Sequence, residues 1–243
     1  MSARRVKLGH HLELLGRFAA WSDGRRLILR PSAQRLLALL AIRGALPRCD
    51  AAGLLWRDLT QVRALGNLRT SLWRARHDCP GLVSDEGGLV RLEDVSVDFV
   101  EVRSWSLRAL RAEDPWMPPP DGVALELLPG WADTWLMEAR EELRLLQLYA
   151  LEACAQRLLL GGRVGEAASA ALTAVGIDPF RESANRILIE IHLRDGNRHD
   201  AIRQFRRYEQ LLRHELNTEP GPSLTALIGS FIAPAATANL ATV

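Results

Sequence analysis

Apolar residues recur along this chain with two different periods, and the change of period organises it. Between Lys7 and Arg30 short apolar runs, LELLG and RLILR, flank Ser22-Asp23-Gly24. Asp and Gly tolerate the backbone angles of a tight reversal, so this stretch reads as small antiparallel strands. From Pro31 the period becomes helical. In PSAQRLLALLAIRGA, Pro31 and Ser32 open a helix, Leu36, Leu37 and Leu40 with the Leu39/Ile42 flank form its buried stripe, and Gly44 ends it. A shorter helix follows Asp50, a good N-cap residue, and carries Leu54, Leu55 and Trp56.

A third helix contains LGNLRTSLWRAR, residues 65–76, in which Leu65, Leu68, Leu72 and Ala75 fall at i, i+3, i+7 and i+10 and predict one core-facing stripe. Geometry then puts Asn67, Thr70, Ser71 and Arg74, with Arg63 one turn earlier, on or beside the opposite side. Trp73 falls at the border, where packing beneath the following hairpin is its expected use. Gly66 costs the helix about 1 kcal/mol relative to Ala. Cys79-Pro80-Gly81 breaks the chain, and LVSDEGGLVRLE reads as a hairpin around Asp85-Glu86-Gly87-Gly88. Strands, three helices and a hairpin is the element order of a winged helix-turn-helix, with the hairpin as its wing.

Four prolines in AEDPWMPPPDG, from Ala112 to Gly122, predict a stiff connection. Beyond it the pattern is almost wholly helical, over about 132–160, 163–175, 181–194 and 198–216, with a short piece after Pro222. Two turns align at an offset of 34 residues: Leu159 with Leu193, Gly162 with Gly196, Glu166 with Asp200 and Ala167 with Ala201. That offset is the period of tetratricopeptide repeats. The fold expected is therefore mainly α with small β: residues 1–105 a winged helix, 106–234 an all-α tetratricopeptide-like domain, and 235–243 a disordered tail.

Charge sharpens this division. The chain of 243 residues has a net charge of +2, but residues 1–105 hold 17 Arg and Lys against 11 Asp and Glu, a net of +6, and the remainder holds 14 against 18, a net of −4. A basic front half suits a polyanion. A helix lying in a major groove needs the mixture found on the third helix: Arg can grip guanine and Asn adenine with paired hydrogen bonds, and Ser or Thr can reach a base edge or a phosphate. The same mixture also suits an ordinary solvated surface helix, so the element order carries the nucleic-acid reading.

Other chemistry finds little support. Cys49, Cys79 and Cys154 are odd in number and widely spaced, as free and mostly buried thiols are. His10 and His11 point to opposite faces of a strand, and His77, His192, His199 and His214 lack zinc-ligand spacing, so no metal or cofactor is expected. Glu138, Glu141 and Glu142 alternate with Arg140 and Arg144 as solvated ion pairs do, and no phosphate-cradling glycine loop occurs, which argues against an enzyme. No secretory signal or membrane-length apolar run is present, giving the expectation of a cytoplasmic protein with no membrane partner. Trp131 and Trp135, at i and i+4, suit packing between the two modules, with a small-molecule pocket as the alternative; no effector is named by the sequence.

LRTSLWRAR following LLW, then LLPGWADTW, then IDPFRESANRILIEIHLRDGNRHDAIRQFRRYEQLLRHELNTEPGPSL resemble the Streptomyces antibiotic regulatory protein (SARP) family from about Lys7 to Phe231. Its members join an OmpR-like winged helix to a bacterial transcriptional activator domain of tetratricopeptide-like helices. The resemblance implies an activator that binds direct repeats in double-stranded DNA near a promoter as a side-by-side pair and touches RNA polymerase. It implies base reading by Asn67, Thr70, Ser71 and Arg74 and backbone contacts by Arg69, Arg76 and the wing residue Arg91; Arg63 joins the DNA-binding set by its place on the helix one turn earlier. Ala51 and Ala75 are smaller than the aliphatics usual at their positions, which thins the core under the reading helix. The competing reading is a helical-repeat interaction module whose winged helix does not bind DNA.

Overall fold

The computed structural model describes residues 9–111 and 118–232. The expected tail, the first eight residues and most of the proline-rich connection (112–117) lie outside the described residues. The chain divides into two compact units. One holds the described residues up to Trp105 together with Pro118–Leu145, and the other holds the described residues of Ser106–Met117 and Leu146–Val243.

The first unit opens with β1 (His10–Glu13), β2 (Ala19–Ser22) and β3 (Arg25–Leu27), antiparallel neighbours in one sheet. Asp23 and Gly24 make the expected reversal, with φ of 47° and 78°. Helix α1 (Pro31–Arg43) buries Leu36, Leu37, Leu39 and Leu40, and Gly44 closes it at positive φ with its N–H donating to the Leu40 carbonyl. After β4 (Leu46–Pro47), α2 (Arg48–Leu55) starts two residues before the expected Asp50 cap. Pro47 is the N-cap, and Asp50 sits in the first turn, where a carboxylate favours the positive end of the helix.

Helix α3 (Gln61–Asp78) packs on α1 and α2, and β5 (Val83–Glu86) and β6 (Leu89–Leu92) form the wing, turning at Gly87 and Gly88 with φ of 61° and 79°. Strand β4 pairs with β6 to make a three-stranded sheet. The winged helix-turn-helix is present as its element order implied.

Two elements were not legible in the sequence. Strand β7 (Val95–Val97) runs parallel to β1 and completes the sheet order β3-β2-β1-β7. Helix α4 (Asp98–Arg111) follows at once, so the division expected at 105/106 falls inside a helix. The Asp98 carboxylate ties the start of α4 to the chain just after β1, accepting the N–H groups of Leu14 at 2.8 Å and Leu15 at 3.0 Å together with that of Phe99 at 2.7 Å. Burial raises the Asp98 pKa even against the backbone donors that stabilise its charge.

Pro118–Leu145 closes the first unit. Leu127 and Leu128 are fully buried; Leu128 donates its N–H to the Leu14 carbonyl at 2.8 Å, and Gly16 donates to the Glu126 carbonyl at 2.7 Å. At the start of α5 (Thr134–Leu160), Trp135 is buried with its indole N–H donating to Asp133, and Trp131 stacks on Phe18 with centroids 5.9 Å apart. Both tryptophans make these contacts within the first unit. Arg35 also donates to Asp133 at 3.0 Å, holding α1 to this segment.

The second unit continues with α6 (Val164–Ile177), α7 (Glu182–Arg194), α8 (Arg198–Leu216) and α9 (Pro222–Ile232). The 34-residue offset is a repeat of hydrogen bonds as well as of residues. Gly162 donates to Leu159 and Arg163 to Leu158, and Gly196 donates to Leu193 and Asn197 to His192 in the same geometry. Both glycines have φ near 76°, at 75° and 77°, the left-handed closure of a helix end. Ala167 and Ala201, fully buried, let each following helix approach closely.

Polar groups fix the α6–α7 turn. Arg181 grips the buried Glu152 with two bonds of 2.6 and 3.0 Å, Ser183 adds a third, and the Tyr149 ring lies 4.4 Å beneath the guanidinium. Asn185, 1% exposed, donates to the Pro179 and Arg181 carbonyls and accepts from Gln204. All its polar capacity but one lone pair is thus engaged.

Tyr208 is buried and donates its hydroxyl to the Phe180 carbonyl at 3.1 Å; burial, with Glu182 and Asp178 nearby, pushes its pKa up to about 12. The folded chain therefore holds this proton more firmly than the unfolded chain, and stability falls as pH rises from the ordinary tyrosine range towards about 12. Tyr208→Phe is expected to remove that component of the slope and to cost about 1 kcal/mol at neutral pH, as read by denaturant unfolding across the pH range.

Candidate nucleic-acid interface

The orientation of α3 follows from which of its residues the unit buries. These are Ala64, Leu68, Ser71, Leu72 and Ala75. Leu65 is only half-buried. Small side chains allow a close approach to α1 and α2, so Ala64 and Ser71 take places in the interior that a rule based on large aliphatics gives to Leu65. The helix is thereby rotated relative to the expected stripe. Ser71, at 1% exposure, faces the core and is withdrawn from the base-reading set.

With that rotation, Val62, Gly66, Thr70, Trp73 and His77 run along the outward line at i, i+4, i+8, i+11 and i+15. Arg63, Asn67 and Arg74 lie along one side of it and Arg69 and Arg76 along the other. Asn67, Thr70, Arg63 and Arg69 are exposed, and Arg74 is half-buried. The Thr70 hydroxyl donates to the Gly66 carbonyl at 3.1 Å, a bond to its own helix that a ligand can exchange. Trp73 is 64% exposed and stacked on His77, with ring centroids 5.3 Å apart and planes 7° from parallel. It does not pack beneath the wing. A 3–4 spacing of Val62, Gly66, Thr70, Trp73 and His77 was the available signal, hidden by counting Leu65 as core.

The arginines divide by what already binds them. Among the described residues, no ion pair involves Arg63, Arg69 or Arg74. Arg76 donates to the Val83 carbonyl at 3.4 Å and lies 3.6 Å from Asp85, so it ties α3 to the wing strand. Asp85, with a side chain only 7% exposed, also pairs with Arg48 at the start of α2. One carboxylate thus links α2, α3 and β5. Arg91 projects from the wing strand β6 and is held by Glu93 at 2.6 Å, which raises the Arg91 pKa and lowers that of Glu93. Three guanidiniums on one helix without ion pairs among the described residues, beside a wing in which Asp85 and Glu93 are paired, form a face suited to a polyanion.

His10 and His11 diverge as their strand requires: His11 meets the Ser96 hydroxyl at 2.8 Å, and His10 lies 3.4 Å from the Cys79 sulfur. All three cysteines are free, Cys79 and Cys154 buried and Cys49 exposed. Among the described residues no helix is long and apolar enough to cross a membrane.

Residues 121–230 match the family model of the bacterial transcriptional activator domain. The first part of that match, through Leu145, belongs to the compact unit that carries α3. A solved structure of Mycobacterium tuberculosis EmbR in complex with a low affinity phosphopeptide is similar in fold, with a TM-score of 0.60 and 20% sequence identity. The similarity covers 92% of this chain and 65% of that one, so this chain spans about two thirds of that chain's length. No curated protein sequence matches the chain.

Because Asp85 serves two arginines, Asp85→Asn is expected to lower stability by about 1 kcal/mol, a modest loss because both partners remain half in solvent. Urea unfolding of the full chain measures it. The loss should shrink in high salt, whereas an effect of packing alone would not.

Proposed function

We propose that this chain, whose residues 121–230 match the bacterial transcriptional activator domain, is a DNA-binding activator that reads direct repeats near promoters as a side-by-side pair and contacts RNA polymerase. The observation that carries the reading is the outward side of α3 on a helix-turn-helix, bearing Arg63, Arg69 and Arg74 with no ion pair among the described residues. In this reading Arg63, Asn67, Thr70 and Arg74 contact base edges, where Arg and Asn form paired hydrogen bonds to purines. Arg69 holds a phosphate. Arg76 and Arg91 do so only by giving up Asp85 and Glu93, and so contribute less than their exposure implies.

Residues 1–105 supply the DNA contacts, and the helices of the second unit supply the surface for the polymerase and for the paired copy. The basic surplus of the front half and the acidic balance of the remainder support that division of labour. No chemical step is required of any residue, since the work is recognition.

Binding measured by fluorescence anisotropy, on duplexes selected by the full chain from a randomised pool, tests the reading. Affinity should fall steeply with salt as phosphate counterions are released. Arg74→Ala should cost about 1–3 kcal/mol and relax preference at one position, and Arg69→Ala should weaken all duplexes alike while reducing the salt slope by about 1. Equal affinity for selected and scrambled duplexes at matched salt would overturn the proposal.

A further inference from the structure

Trp73 is a large apolar side chain left 64% exposed at the centre of the outward line of α3, in a unit that buries Trp105 and Trp135. Its neighbours on that line are as unusual for a solvated helix. Val62 is 82% exposed, and Gly66 lies in the helix interior, where a Cβ would meet nothing within 4 Å. Neither packing nor a positive φ calls for glycine there, although it destabilises the helix. The line is therefore low and apolar through Val62 and Gly66 and aromatic at Trp73, and it is bordered by Arg63 and Arg74 on one side and Arg69 on the other, none of them in an ion pair among the described residues.

We propose that Trp73 is a specificity-determining residue that reads the C5-methyl group of thymine in the major groove. The inference rests on the DNA-binding reading above and adds to it a base preference that hydrogen bonding does not supply. The flanking arginines select a polyanion, and within a duplex major groove the apolar group available to an aromatic side chain is the thymine methyl. The stacking on His77 bears on the mode of contact. An indole stacked on His77 offers its remaining apolar surface already held in place, so little side-chain freedom is lost on binding. Gly66, two turns earlier on the same line, lets the duplex approach the helix backbone closely.

The experiment uses the full chain and a duplex it has selected from a randomised pool, with each thymine replaced in turn by deoxyuridine, which keeps the base pair and removes only the methyl group. At one thymine per half-site the replacement should weaken wild-type binding about fourfold, the loss of one buried methyl contact. In Trp73→Ala the thymine and deoxyuridine duplexes should bind equally, and Trp73→Phe should retain part of the difference. Circular dichroism and thermal unfolding of both variants confirm that an exposed substitution has left the fold intact. Wild-type indifference to deoxyuridine at every position, or an unchanged methyl effect in Trp73→Ala, overturns this assignment while leaving duplex binding standing. Failure of the wild-type chain to bind any duplex overturns both.

Discussion

The rotation of α3 about its own axis is the constraint on which the candidate interface depends. It is set by five buried residues, of which Ala64, Ser71 and Ala75 are small and Leu68 and Leu72 are large. Small residues permit close approach and large ones fill the space left, so the helix has one seat against α1 and α2. Every outward residue takes its place from that seat. Because buried side chains and not the arginines fix the orientation, the charged face is free of structural duty except at Arg76.

Asp85 links that seat to the wing. By pairing with Arg48 and Arg76 it connects the starts and ends of the helix-turn-helix to β5, and it consumes one arginine that exposure alone would assign to phosphate. Glu93 does the same to Arg91. A basic surplus counted along a chain therefore overstates the charge available to a ligand, and the relevant quantity is the number of cations left unpaired on one side.

The second unit is built on a different economy of local and long-range contacts. Its repeated turns close with matching backbone bonds at Gly162 and Gly196, and buried alanines seat the helices that follow. Polar side chains then fix a single turn, with Arg181 on Glu152 and Asn185 satisfied by carbonyls from its own turn and by Gln204. A buried pair of this kind contributes definition more surely than stability, because removing two charges from water offsets most of their attraction.

What the sequence determined by itself was local. Glycine at Gly44, Gly162 and Gly196 marks helix ends, paired turn glycines mark the wing, and a 34-residue spacing marks the repeat, because each depends on backbone angles that few residues can adopt. Tertiary structure decided the rest. The parallel pairing of β7 with β1 joins residues 85 positions apart, as His11 and Ser96 show, and no periodicity records such a partner. The placement of Leu127, Leu128 and Trp135 in the first unit, the burial of Ser71 and the exposure of Trp73 were likewise settled by what packs against them. Hydrophobic spacing says that a helix has an inner side; only its neighbours say which of two adjacent rows, one lined with leucine and one with alanine and serine, that side will be.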